Sequence, residues 1–305
     1  MTRIITKNSS TASAIPLAGD LVQGELALNV TDKKLYTKDS GGAVVSVGTP
    51  LDENNPTAAD TVTLGLWAGR YIGPNNIQNT FIGSGAGASF SAGTGRSHVA
   101  VGHDAMALAT FGTGHVAVGE NALLNISGTN YATAVGTDTG VNCTSGGQSS
   151  VFLGMLAGSQ VTTGAQNVCI GFNSNPTSAT SSYQFTLGHT DITSLRCNVQ
   201  TITSLSDARD KTEIVDTPYG LDFINTLQPR QFKWATRDGN IKDGKVEQGF
   251  IAQELLAAAG DNKADLNLVL EENPNKLEAS AGNLVPILVK AIQELTARVE
   301  QLENN

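Results

Sequence analysis

Cysteine is nearly absent. Cys143, Cys169 and Cys197 are the only three in 305 residues, and none shares a CxxC spacing. That excludes a disulfide framework and a cysteine zinc site, and it fits a chain made in a reducing cytosol. Charge is scarce, at 15% of residues against roughly 25% in ordinary globular chains. Bases are the scarcer sign, with 19 Lys and Arg against 28 Asp and Glu for a net charge of -9. Such a balance argues against a nucleic-acid partner. Aromatics are only 5%. No run of 18 apolar residues occurs, so no membrane insertion is expected. The first ten residues lack the apolar core of a secretory signal. No cofactor or metal-ligand spacing emerges, and none of either is expected. What remains is a 31.6 kDa chain, long enough for several domains and a real core.

The averages conceal a partition. Residues 62–205 carry 4 acids (Asp104, Glu120, Asp138, Asp191) and 3 bases (Arg70, Arg96, Arg196) but 22 of the 33 glycines. Residues 206–305 carry 17 acids and 11 bases. A Gly-rich, almost uncharged middle and a conventional charged end are different architectures.

The middle is a repeat array. An apolar-x-apolar-Gly tetrapeptide recurs at Val62-Thr-Leu-Gly65, Thr80-Phe-Ile-Gly83, Val99-Ala-Val-Gly102, Val116-Ala-Val-Gly119, Thr133-Ala-Val-Gly136, Val151-Phe-Leu-Gly154, Val168-Cys-Ile-Gly171 and Phe185-Thr-Leu-Gly188. The Gly-to-Gly spacings are 18, 19, 17, 17, 18, 17 and 17. A short β run, a Gly break and a turn in about 17 residues suit one coil of a β-roll and are too short for a helix pair. Stacked coils at about 4.8 Å give a segment roughly 38 Å long. The residue between the two apolar positions is often apolar too (Phe81, Ala100, Ala117, Ala134, Phe152, Cys169), which implies that one strand face meets another chain. The pattern resembles the left-handed roll of trimeric adhesin heads, and a trimer of rolls is expected.

All four His lie in the array. His98 and His115 precede equivalent motifs and should stack one coil apart, with Ser150 and Asn167 in the same column. A metal or receptor-contact column and a solvated polar ladder both fit; the ladder is preferred. Asp104, Glu120 and Asp138 fall just after repeat glycines. Paired carboxylates can hydrolyse glycosides, so a glycan-degrading tailspike enzyme is the alternative reading, weakened by the small number of acids.

The last hundred residues carry three blocks: Ser206-Asp-Ala-Arg-Asp-Lys211, Tyr219-Gly-Leu-Asp-Phe-Ile-Asn-Thr-Leu-Gln-Pro-Arg-Gln-Phe-Lys-Trp234, and Gln248-Gly-Phe-Ile-Ala-Gln-Glu254. Leu221, Phe223, Ile224 and Leu227 predict a short helix ended by Pro229. Gln231 to Trp234 alternate as a strand. Pro286 belongs in the first turn of a last helix. Val285, Leu288, Ile292, Leu295, Val299 and Leu302 then form a heptad seam. The blocks and their order resemble the intramolecular chaperone of phage tail fibres and endosialidases, the self-cleaving peptidase family 74 of serine type. The resemblance implies a domain that trimerises the chain, sets its register, and cuts between Leu205 and Ser206. Ser206 would be the nucleophile and Lys211 the general base. That chemistry needs a neutral Lys211, which burial favours. It also needs a turn or strand geometry, since positions i and i+5 diverge on a helix. Many members carry a His before the third block; this chain has Glu247-Gln248, so cleavage and retention of the domain both stay open. Beyond this serine-type self-cleavage no enzyme activity is expected.

Near the start, Leu21-Val-Gln-Gly-Glu-Leu-Ala-Leu-Asn29, Lys34-Leu-Tyr-Thr-Lys38 and Val44-Val-Ser-Val47 read as short strands. They resemble the segment that joins phage fibres to the tail or baseplate. The expectation is a mainly β chain: a virion-attachment segment (1–49), a linker (50–61), a trimeric β-roll or β-solenoid shaft of about eight coils (62–205) and a small α+β chaperone domain (206–305) ending in a coiled-coil helix near 285–302. By resemblance, it is a homotrimeric tail fibre of a virion, assembled in the host cytoplasm. It would dock to a tail or baseplate protein and adhere to a host surface receptor, a glycan.

Overall fold

The computed structural model describes residues 7–32, 34–47, 61–72, 76–90, 95–145, 147–198, 202–237 and 239–304. It is mainly β, with a solenoid in the middle and a long helix at the C-terminal end. Of the expected linker 50–61, all but Thr61 lies outside the described residues.

At the N-terminal end β1 (Lys7–Ser9), β2 (Leu26–Asn29), β3 (Lys34–Lys38) and β4 (Val44–Ser46) form one sheet in that order. β1 lies parallel to β2, and the other pairs are antiparallel. Leu21, Ala27 and Tyr36 form its small core. Asn29 is buried at the end of β2. Its amide donates to the carbonyls of Thr11 and Ala14, and its oxygen accepts from the N–H of Thr31 and Asp32. One side chain thus ties the loop before β2 to the turn after it.

The roll follows the repeat. Its strands are β5 (Val62–Leu64), β6 (Thr80–Ile82), β7 (Val99–Val101), β8 (Gly112–Thr113), β9 (Val116–Val118), β10 (Thr129–Asn130), β11 (Thr133–Val135), β12 (Val151–Leu153), β13 (Val168–Ile170) and β14 (Phe185–Leu187). Eight of them make a parallel sheet in sequence order, and β8 pairs with β10 on a second face. Register follows the tetrapeptide: Val99 faces Val116, Ala100 faces Ala117 and Val101 faces Val118, and every other coil does likewise. Each strand ends at the repeat glycine. At Gly119, φ is +131°, and a Cβ there would stand 2.4 Å from the carbonyl oxygen of Gly136. Coils therefore stack backbone on backbone along a glycine column, a contact no side chain would permit.

The inward residue is the middle one of each strand. Phe81, Ala100, Ala117, Ala134, Phe152 and Cys169 are fully buried. The flanking Val, Ile and Leu point outward. Interior volume is balanced six residues further on. At Ala100 and Ala117 the buried partners are Met106 and Leu123, and at Phe81 and Phe152 they are Gly87 and Gly158; at Ala134 the partner is Gly140, where a Cβ would meet Leu123 and Phe152 of the adjoining coils. A Cβ on Gly158 would lie 2.3 Å from the Phe152 ring. Close packing leaves room for one large side chain per pair.

Polar residues also enter the core. His98 and His115 stack with ring centroids 5.1 Å apart, and Phe90 lies 4.8 Å from His98. They share a column with Asn79, Ser150 and Asn167, all fully buried, so the ladder expected to be solvated is internal. Its reason is backbone satisfaction. Each side chain accepts from the N–H of the column residue one coil on: Asn79 from His98, His98 Nδ1 from His115, His115 Nδ1 from Ala132, Ser150 from Asn167, and Asn167 from Gln184. The His Nε2 atoms contact the carbonyls of Gly112 and Thr129. Both ring nitrogens are thereby engaged, with none left for a metal.

In the C-terminal unit, α1 (Leu221–Ile224), α2 (Ala252–Ala259), α3 (Lys263–Leu266) and α4 (Val285–Glu303) surround the hairpins β15 (Arg230–Lys233)–β16 (Val246–Gly249) and β17 (Val269–Leu270)–β18 (Glu278–Ala279). Leu255, Leu266, Leu268, Leu284 and Ile287 form the core, with Tyr219, Phe223, Ile224 and Leu227 packed around it. Pro286 sits in the first turn of α4.

Two outcomes test this packing. Phe152→Ala should cost about 3–5 kcal/mol by chemical denaturation and Gly158→Leu alone should clash. The double variant should recover most of the loss, since it reproduces the Ala117–Leu123 pair. The second concerns pH. Burial pushes His98 down to about 3, helped by the neighbouring His115, and burial pushes His115 down to about 4. In the unfolded chain a His takes up its proton near pH 6.5. The stabilisation is therefore complete above about pH 6.5 and declines below it, by about 2 kcal/mol per His at pH 5. Denaturation midpoints should fall from pH 7.5 to pH 5. In H98N/H115N, which copies Asn79 and Asn167, that decline should flatten.

Candidate functional site

Beyond the last coil the chain reaches Ser206 in an exposed stretch. Asp207 caps a short 3-10 turn, Ala208–Asp210, accepting from the N–H of Arg209 at 2.9 Å. The same carboxylate pairs with the Arg209 guanidinium at 2.6 Å. These bonds to Arg209 hold the Asp207 carboxyl below the usual carboxylate range. After the turn Lys211 is extended, and its Nζ donates to Ser206 Oγ at 2.5 Å. The required non-helical geometry is thus the one present. Leu205, Ser206 and Lys211 are all exposed in the single chain, so the burial that would favour a neutral amine is not supplied by this chain alone.

The blocks behind this turn touch one another. Arg230, from the second block, pairs with Glu254 of the third at 2.7 Å. Glu247, where a His was expected from the resemblance, accepts from the Trp234 indole N–H. The N-terminus of α1 has no cap of its own, since Gly220 offers no side chain. Glu294 of α4 supplies it, accepting from Leu221 N at 2.7 Å. Glu272 and Asn273, between β17 and β18, reach the last coil. Glu272 accepts from Gln184 Nε2 at 2.5 Å, and Asn273 donates to the Thr177 carbonyl at 2.7 Å. Sequence reasoning missed Glu294, Glu272 and Asn273, because a partner 73 to 96 positions away leaves no local pattern.

α4 has two faces. Ile287 and Ala291 are buried against its own unit. Val285, Leu288, Ile292, Leu295, Val299 and Leu302, the predicted seam, are all exposed.

Residues 206–263 match the family model Peptidase_S74, described as Chaperone of endosialidase. The C-terminal unit carries an endosialidase-type chaperone domain. The match takes in the Ser206–Lys211 turn and all three blocks and stops before the seam helix. No curated protein and no solved structure matches the chain.

The remaining sequence candidates lie away from the chaperone domain. Among the described residues no group of three or more His, Cys, Asp or Glu gathers as a metal site. Asp104 and Glu120 flank His103 on the roll surface, and Asp138 accepts from Asn121.

The cap on α1 makes a prediction. Glu294→Ala should destabilise the chaperone domain by about 1 kcal/mol, and Glu294→Gln should retain most of that. Hydrogen exchange at the Leu221 amide reads the loss directly.

Proposed function

We propose that the protein is a homotrimeric phage tail fibre. Its N-terminal sheet attaches to a tail or baseplate protein, its roll is the host-adhering body, and its chaperone domain drives trimerisation and self-cleavage before Ser206. The observation that carries this reading is the open seam of α4. Six apolar residues at alternating spacings of three and four, on a helix already packed by another face, are what a short helical bundle between chains requires. The outward Val, Ile and Leu columns of the roll offer a second apolar surface for the same assembly.

The division of labour has a physical reason. A roll of near-identical coils mispairs by one coil at little cost. A clamp at the C-terminal end that aligns three chains before the coils zip removes that error. The contacts of Glu272 and Asn273 with the last coil support a clamp acting where zipping would begin.

The Ser206–Lys211 contact in the turn supports the cut. Lys211, as general base, takes the Ser206 hydroxyl proton as Oγ attacks the Leu205 carbonyl carbon. The Leu205–Ser206 C–N bond breaks, the freed Ser206 amine receives the proton, and an ester joins Leu205 to Oγ. Water hydrolyses the ester to a Leu205 carboxylate and restores the hydroxyl.

Intact mass under denaturing conditions, with native mass on the same samples, tests both parts. Fragments of about 205 and about 100 residues are expected from the wild type and a single chain from Ser206→Ala. One uncut chain in both would refute cleavage and leave the fibre assignment standing. Native mass should give three chains in the wild type and fewer in I292D/L295D; any other wild-type stoichiometry overturns the trimer.

A further inference from the structure

Residues 62–205 contain four Trp and Tyr side chains, and all are exposed: Trp67 (56%), Tyr71 (53%), Tyr131 (62%) and Tyr183 (78%). Phe81, Phe90 and Phe152 in the same coils are fully buried. Phe111, Phe172 and Phe185 are exposed as well, so the roll displays a set of aromatic rings on its surface.

One display is built around the second ladder. Phe111 precedes β8 and Tyr131 follows β10, so the two rings bracket the ladder at opposite ends, about 10 Å apart along the strand. Each lies on bare backbone of the neighbouring coil. A Cβ on Gly128 would stand 3.0 Å from the Phe111 ring, and one on Gly114 would stand 2.8 Å from the Tyr131 ring. Phe111 is 49% exposed, so both rings turn a broad surface to solvent. Tyr131 also has φ of +62°, at a corner where other coils place Gln78, Ser97, Gly114, Ser149, Gln166 and, once more, a Tyr, Tyr183. A bulky ring in left-handed backbone is costly, and here little burial repays it.

Between the rings run Thr113 and Asn130, paired in register, and the bridge from Arg96 to Thr113 extends the row by one coil. Arg96 is exposed. Among the described residues no carboxylate pairs with it. Asp104, Glu120 and Asp138 sit at the other corner, after the glycine column.

We infer that this row binds a saccharide chain bearing carboxylates, of the polyuronate class, and is the receptor-contact site of the roll. The inference rests on the tail-fibre reading and names its ligand chemistry. Phe111 and Tyr131 stack on the apolar faces of sugar rings. Thr113 and Asn130 hydrogen-bond hydroxyls. Arg96 grips a carboxylate with its planar fork of donors. Among the described residues no carboxylate neutralises Arg96, and in a surface with so few charges such a guanidinium selects an anionic sugar over a neutral one.

The test uses the full-length protein with polygalacturonate and hyaluronan as probes and dextran as the neutral polymer, by affinity electrophoresis and calorimetry. Binding to a carboxylated polymer is expected, with dextran ignored. Affinity should fall at least about tenfold in Arg96→Gln and in Tyr131→Ala, with native mass and thermal midpoint unchanged. The inference is overturned if the wild type binds neither acidic polymer, or if both variants bind as well as the wild type. It is also overturned if the variants lose their oligomeric state, since the row would then be a contact between chains. A wild-type chain that is not a trimer, yet binds through Arg96, would strike the fibre reading and leave this site standing.

Discussion

Everything in the roll follows from the contact between one coil's backbone and the next at the glycine column. A carbonyl sits where the Cβ of Gly119 would be, so the corner tolerates no side chain. This close approach fixes the length of each strand at three residues and sets all eight in one register. It also narrows the interior until a strand centre and the residue six positions on hold at most one large side chain between them. The exchange of Ala100–Met106 or Ala117–Leu123 for Phe81–Gly87 or Phe152–Gly158 is the consequence. The same narrowness explains the buried polar column. A coil too thin to form a full second sheet leaves N–H groups without strand partners at that corner. Asn, Ser and His side chains accept from them instead, and that satisfaction is what makes their burial affordable.

Coil uniformity gives a stable stack but weak register information. The C-terminal unit differs in every relevant respect. It is charged, it has its own core, and it reaches the last coil through Glu272 and Asn273. α4 joins the two requirements in one element. Its buried face, with Ile287 and Ala291, and the cap from Glu294 lock it to its own unit, while the seam stays open. A helix held this way presents a fixed apolar stripe, so its association with other copies loses little entropy in ordering.

Much of this was legible in the chain. The tetrapeptide predicts the eight strands of the main sheet to the residue but not β8 and β10, the heptad spacing predicts α4, and the i to i+5 offset shows that Ser206 and Lys211 can meet only across a turn. The stacking of His98 on His115 was legible as well, but its depth was not. Polarity reads as surface unless the backbone donors it satisfies are known, and those donors lie a coil away. Nor did the spacing reveal which strand face turns inward, because both faces are apolar at Phe81, Phe152 and Cys169. The volume exchange six residues on settles that question and is visible in sequence once the coil is known. Glu294, Glu272 and Asn273 stay illegible, since long-range caps and docking contacts obey no period.

The join between roll and chaperone domain has a consequence for how the two stay together. Among the described residues their direct side-chain contacts are few and lie at or near the surface: Glu272 with Gln184 and Thr177, and Asn273 with Thr177. Each such bond contributes only about 1 kcal/mol net. Such a docking holds while the chain is continuous, because a short tether keeps the partners at an effective concentration on the order of millimolar. Residues 189–205, which contain no helix or strand among those described, are that tether. A cut between Leu205 and Ser206 would turn an intramolecular contact into a bimolecular one without altering a single bond in it. Release would then be a matter of dilution, and a cut before the exposed Ser206, at the end of the tether, would leave the chaperone unit whole.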